Sequence, residues 1–222
     1  MTRPCDRRLV IFDFDGTIAD TVDGILRTAR PILLAHGIKE EGLGDMRRIV
    51  GPPFPQAFSM VYGFSPEEAD QITAEYRSVY GEGGIELWPT YPGIPELLAS
   101  LRASGRLLAV ASSKRDVLVR RALSDEGIAE DFDVVMGKLD DKGDTKPATI
   151  RRCLEALDVP PSDAIMVGDR FYDVDAAREA GIPCVGVHYG RTCEREELER
   201  AGACAVAETV GELGRVLLGG SV

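Results

Sequence analysis

Two aspartates, Asp13 and Asp15, stand one residue apart where the apolar run Leu9-Val10-Ile11-Phe12 ends. Carboxylates this close repel each other and resist joint ionisation unless a cation lies between them. Gly16 and Thr17 follow; the first permits a tight turn and the second offers a hydroxyl. Three later stretches carry complementary groups: Ser112-Ser113-Lys114, Lys146 beside Pro147, and Gly168-Asp169-Arg170-Phe171-Tyr172-Asp173. Taken singly, Ser112 could cap the next helix and Lys146 could be a solvated surface lysine. One chemistry uses them all. A magnesium ion takes one or two carboxylates while keeping waters and phosphate oxygens, and Asp13 with Asp169 can supply that cluster. A phosphoryl group needs donors on its equatorial oxygens, which Ser112, Lys146 and nearby backbone amides can offer. An aspartate can attack phosphorus to form an acyl-phosphate. A second carboxyl can protonate the leaving oxygen and later activate water.

Each of these groups follows a stretch that reads as a strand. In an open α/β sheet the carboxyl ends of the strands are where ligands bind. The run at residues 9–12 is wholly apolar, as in a strand covered on both faces of a parallel sheet. After the turn formers Trp88-Pro89-Thr90-Tyr91-Pro92-Gly93, helix and strand alternate. Helices are expected over residues 95–104, 115–125, a stretch carrying Ile150, Leu154 and Leu157, and 174–180; strands over 107–111, 132–137, 164–167 and 183–187. Residues 138–145 read as a polar loop, 194–200 as a surface helix, and 204–206 with 210–218 as the end of the core. The alternation implies right-handed crossovers and a doubly wound parallel α/β sheet. Residues 21–88 read differently. Asp20 suits an N-cap for a helix running to His36-Gly37, with Pro31 implying a kink, and Ser65-Pro66-Glu67-Glu68 starts another that runs to Gly81. That segment shows no convincing strand, so a helical insert at 21–88 divides a core made of 1–20 and 89–222.

The chain has 222 residues, 44% hydrophobic and 28% charged, the profile of a soluble globular protein. A net charge of −11 argues against a nucleic-acid surface. No stretch approaches the roughly 18 apolar residues of a membrane span, and the polar N-terminus does not read as a signal peptide. Five cysteines, Cys5, Cys153, Cys184, Cys193 and Cys204, are odd in number and widely spread. They read as free thiols in a reducing, cytoplasmic setting. His36 and His188 read as structural or exposed, because the chemistry above needs neither.

In its four motifs, taken in order, the chain resembles the haloacid-dehalogenase superfamily of phosphatases over essentially its whole length. The motifs are Asp13-Phe14-Asp15-Gly16-Thr17, Ser112, Lys146, and Gly168-Asp169 with Asp173. The insert resembles that family's C1-type cap. Gly51-Pro52-Pro53 and Tyr91-Pro92-Gly93-Ile94-Pro95 resemble a branch described as phosphoglycolate phosphatase-like or 5'-nucleotidase-like. The resemblance implies Asp13 as nucleophile and Asp15 as general acid and base. It implies magnesium on the Asp13 carboxylate, the Asp15 backbone carbonyl and Asp169, with Asp173 behind them or bound through water. Ser112 and Lys146 would hold the phosphoryl group, Lys146 also steadying Asp13. Phe14, Gly16 and Ser113, with Arg48, Gly51 and Pro52 from the insert, would complete substrate binding. Lys142 competes with Lys146, but Pro147 and the helix after it favour Lys146.

Among the family's rival activities, dehalogenases work without the second aspartate. Phosphonatases need an imine-forming cap lysine, and the insert's one lysine, Lys39, sits beside Glu40-Glu41. Sugar phosphomutases share the core. A phospho-accepting receiver domain has no reason for the insert, and a non-catalytic phosphate-binding module would lose carboxylates that are all present here. The expectation is a magnesium-dependent phosphomonoesterase working through an aspartyl-phosphate. Its partner would be a small phosphorylated metabolite, with phosphoglycolate ahead of nucleoside 5'-monophosphates, and no nucleic acid or membrane. It would act as a monomer or homodimer.

Overall fold

Strand β1 (Leu9–Phe12) lies inside a six-stranded parallel sheet, in a computed structural model that describes residues 3–140, 143–190 and 192–220. The sheet order is β3-β2-β1-β4-β5-β6. The strands are β2 (Leu107–Arg115), β3 (Val134–Lys138), β4 (Ala164–Gly168), β5 (Cys184–Val187) and β6 (Ala205–Ala207). The chain walks outward from β1 to β3 and then returns to lay β4 on the other side of β1. That reversal opens a crevice at the carboxyl ends of β1 and β4, where such sheets bind ligands. All four β1 side chains are fully buried, each contributing about 1.5–3 kcal/mol of burial. Alternate residues serve opposite faces: Val10, Phe12, Val110 and Val167 join one apolar cluster, Leu9, Ile11, Ala111 and Met166 the other.

The helices follow the same division. Residues 21–88 hold α1 (Val22–Ala35), α2 (Gln56–Tyr62) and α3 (Pro66–Glu82); α4 (Ile94–Ala103) and α5 (Asp116–Asp125) come next. They are followed by α6 (Lys146–Ala156), α7 (Phe171–Glu179), α8 (Arg195–Ala201) and α9 (Val210–Leu218). Buried residues of α4, α5 and α9 cover the first sheet face, and those of α6, α7 and α8 the second. Within residues 21–88, α3 packs on both α1 and α2, and their buried side chains run continuously into the first cluster. The chain enters and leaves this segment through adjacent stretches. Asp20 N donates to Pro89 O at 2.8 Å, Tyr91 N to Ile18 O at 3.0 Å, and Ala19 bridges Thr90 in antiparallel fashion.

Several boundaries differ from the sequence reading. Strand β2 continues to Arg115 rather than stopping at Ala111, so Ser112, Ser113 and Lys114 lie on the strand itself. Lys138 belongs to β3 and is buried, not part of a polar loop. Helix α2 is an addition: it is short, and the prolines at 52, 53 and 55 hide its periodicity. Asp20 is not an N-cap; its backbone joins the paired linkers, and Thr21 precedes α1 without a side-chain cap. Helix α1 passes through Pro31 unbroken. Ser65 and Glu68 form the reciprocal capping box expected of α3, at 3.2 and 2.9 Å.

Candidate active site

Asp13 is the first residue beyond β1, and its N–H donates to Val167 O at 2.9 Å, so the end of β4 fixes its position. Asp169 is the first residue beyond β4, and Asp173 lies in the first turn of α7. Carboxylate oxygens, one each from Asp13, Asp169 and Asp173, lie within 4.8 Å of one another, and all three residues are buried. Two glycines make the approach possible. Gly16 has φ +76°, and a Cβ there would collide with the Asp169 carboxylate; a Cβ on Gly168 would collide with Asp173.

Lys146 opens helix α6, where Thr145 caps and Pro147 occupies the first turn. Its ammonium lies 2.9 Å from Asp13 Oδ1 and also contacts Asp173 Oδ1. Burial pushes the Asp13 carboxyl up to about 6, opposed by the Lys146 ammonium and helped by the nearby charges of Asp173 and Asp15. Burial, then repulsion from Asp173 and Asp13, holds Asp169 well above the usual carboxylate range. Burial works against the charge of Lys146, yet Asp13 and Asp173 hold its pKa above the usual lysine value.

The donor set fits a hard divalent cation. Three buried carboxylates face one ammonium, and among the described residues Asp13 Oδ1 and Asp173 Oδ1 receive no hydrogen bond, only the charge of Lys146. Every donor is oxygen, as magnesium prefers. Ser112 is 2% exposed, and its hydroxyl oxygen accepts the Lys114 N–H at 3.3 Å, which leaves its own proton to donate. Asp15 stands apart from the cluster. Its carboxylate pairs with Lys114 at 2.9 Å, and the same ammonium donates to the Tyr80 hydroxyl at 3.3 Å and lies 4.5 Å from that ring's centre.

A cavity joins Asp13, Asp15, Ser112 and Ser113 to the turn Gly51-Pro52-Pro53-Phe54 and to Tyr76 and Tyr80 of α3. Most of the expected site residues therefore meet. Two do not. Phe14 is fully buried in the core, so its side chain is unavailable to a substrate. Arg48 is exposed and lines a separate groove with Asp45, Arg47 and Glu194, because its short 3-10 turn directs Ile49 inward instead. Lys142 lies outside the described residues.

Three residues missed in the sequence become prominent. Lys114 pairs with Asp15 and, through the same ammonium, reaches the Tyr80 hydroxyl. Arg170, inside the fourth motif, donates to Val50 O at 2.6 Å and to Glu197 at 2.9 Å, and Gly51 leaves it room. The signal for Lys114 was its place directly after the two serines; Tyr80 and Arg170 gave none, since their partners lie far off in sequence.

Comparison with known proteins places this arrangement. A 5'-nucleotidase of Pseudomonas aeruginosa is 34% identical over 188 residues, covering 84% of this chain and 85% of that protein. The tyrosine-protein kinase PtkA of Mycobacterium tuberculosis is 39% identical over 190 residues, covering 82% of this chain and 62% of that longer protein. Other relatives carry the names pyrophosphatase and phosphoglycolate phosphatase. The crystal structure of a predicted phosphatase from Clostridium acetobutylicum superposes with a TM-score of 0.90 at 37% identity, covering 96% of this chain and 99% of that one. A family profile described as haloacid dehalogenase-like hydrolase matches residues 10–187, a span that takes in all the strand ends just described. On that match, the chain belongs to the haloacid dehalogenase-like hydrolases.

Proposed function

We propose that the protein is a magnesium-dependent phosphomonoesterase of small metabolites, with residues 21–88 as a cap over a core of 1–20 and 89–222. The observation that carries this is the buried constellation of Asp13, Asp169, Asp173 and Lys146 beside the Ser112 hydroxyl. The paired linkers at Ala19 and Thr90 support the division into core and cap.

In this reading an Asp13 oxygen attacks phosphorus while Ser112 and Lys146 hold the equatorial oxygens. The bond from phosphorus to the leaving oxygen breaks as Asp15 gives that oxygen a proton. Water then attacks the aspartyl-phosphate, Asp15 takes its proton, and inorganic phosphate departs with the Asp13 carboxylate restored. A magnesium ion held by Asp13, Asp169 and the Asp15 carbonyl, with Asp173 behind them, would offset negative charge at the phosphoryl group. The cap turn Gly51–Phe54, which lines the cavity, would exclude bulk water and meet the leaving group.

Among substrates named for its relatives, phosphoglycolate comes first in this reading and nucleoside 5'-monophosphates second. The cysteines are free in the structure, which supports a reducing, cytoplasmic setting. Phosphate release with and without magnesium tests the proposal, using phosphoglycolate, nucleoside monophosphates, sugar phosphates and an aryl phosphate. Magnesium-dependent release is expected. Isomerisation of a sugar phosphate without release would replace the hydrolase reading with a mutase.

A further inference from the structure

The cavity beside Asp13 and Asp15 is lined by Arg77, Lys114 and Arg115, and, among the described residues, by no acid besides those two aspartates. That concentration of positive charge is unexpected in a chain of net charge −11. Lys114 is already matched to Asp15, and Lys146 to Asp13 and Asp173. Arg115 is different. It is the last residue of β2, half-buried, and among the described residues its guanidinium has neither ion pair nor hydrogen bond. The neighbouring Asp116 turns away, accepting from Gly137 N at 2.9 Å and pairing with Arg120 at 2.7 Å. A partly desolvated guanidinium without a counter-charge is costly, and a bound anion offsets that cost with charge-assisted hydrogen bonds.

Size narrows the ligand. The cavity holds about 80 Å³, roughly half the volume of an apolar cavity of about 150 Å³ that takes a benzene ring. Its aromatic wall is filled by its own rings: Tyr76 stacks on Tyr80 at 5.1 Å, and Phe54 meets Tyr76 edge-on at 5.0 Å. Its inner part has room for a few heavy atoms, less than a nucleoside needs. The leaving group belongs on this side, because Asp15 lines this cavity and not the neighbouring one that Lys138, Lys146 and Tyr172 line.

We propose that the leaving group is a compact anion, a carboxylate or second phosphate held close to the bridging oxygen, and that Arg115 reads its charge. This rests on the phosphomonoesterase reading above. The test compares kcat/KM for 2-phosphoglycolate and for pyrophosphate with that for 2-hydroxyethyl phosphate, whose leaving group is neutral and similar in size. The native enzyme should favour an anionic substrate by roughly tenfold or more, the range of a charged hydrogen bond. The favoured one identifies the anion. Arg115→Gln should collapse that ratio toward unity, chiefly through KM, and Arg115→Lys should restore part of it. A native ratio near unity, a ratio unchanged in Arg115→Gln, or a nucleoside monophosphate as best substrate overturns the assignment. If neither these compounds nor p-nitrophenyl phosphate release phosphate, the phosphatase reading falls first and takes this one with it.

Discussion

Asp13 and Asp15 share a motif but not a partner: one faces Lys146 and two further carboxylates, the other faces Lys114, whose ammonium also reaches Tyr80 of α3. Their proposed roles diverge accordingly, and so should their variants. Asp13→Asn removes the attacking oxygen's charge, and turnover should fall by at least about 10⁴-fold, as when a nucleophile is lost from a catalytic unit. Thermal denaturation should show an intact fold; activity within tenfold of native would refute the nucleophile. Asp15→Asn removes the proton donor, a loss of roughly 10²–10⁴-fold on alkyl phosphates. Aryl phosphates, whose leaving oxygen needs less help, should lose less, and an equal loss on both would remove Asp15 from proton transfer. These aspartates, with Ser112, Lys146, Asp169 and Asp173, were legible because unlike chemical types recur at strand ends. The position of Arg48, in a separate groove, was not legible, because a 3-10 turn decides which neighbour faces inward and consecutive residues alone do not show that.

The strand ends deliver these groups only because particular glycines let neighbouring loops approach. Gly16 sits at φ +76° against the Asp169 carboxylate. Gly16→Ala would force a left-handed alanine, at about 1–3 kcal/mol of strain, and drive Asp169 out of the cluster. A lowered melting temperature together with a lost response to magnesium is expected from thermal scans. An unchanged response would mean that the three carboxylates do not act as one site. The order of strands and helices was legible from apolar runs and turn formers, because period and punctuation are local. The length of β2 was not, since polar Ser112 to Arg115 continue the strand by pairing toward Lys138 rather than by burying apolar surface. Two cations from the sheet side also hold the turn at Val50–Phe54 in place: Arg170 reaches Val50 O, and Lys138 donates to Phe54 O at 3.3 Å.

For the molecule as a whole, the buried acidic cluster ties stability to pH and to cations. Because the folded Asp13 carboxyl is raised to about 6, the folded state takes up a proton between about pH 6 and 4 that the unfolded chain does not. The cation-free protein should therefore gain stability from this group as pH falls through that window and lose it as pH rises. Magnesium competes with the same proton. At a hundredfold excess over its dissociation constant it should add about 2.7 kcal/mol, raising the melting temperature by roughly 5–10 °C near pH 7.5 and by clearly less near pH 5.5. Scans at both pH values check this, and an equal gain would place the cation elsewhere. Among the described residues no helix is long and apolar enough to cross a membrane.

The linkers that meet at Ala19 and Thr90 also bear on how such a chain can change. Because Asp20 N and Pro89 O are in hydrogen-bond contact, everything between them hangs from a two-stranded stem whose ends lie side by side. The sheet experiences the stem, not its burden. Lengthening, shortening or exchanging the hanging portion leaves the path from β1 to β2 unaltered, at a loop-closure cost that grows only slowly with length. The apolar cluster its helices share with the rest of the chain, and the hydrogen bonds from Arg170 to Val50 O and Lys138 to Phe54 O, are the remaining constraints. A new selectivity can thus be grafted above a fixed reaction centre without redrawing the platform that carries it.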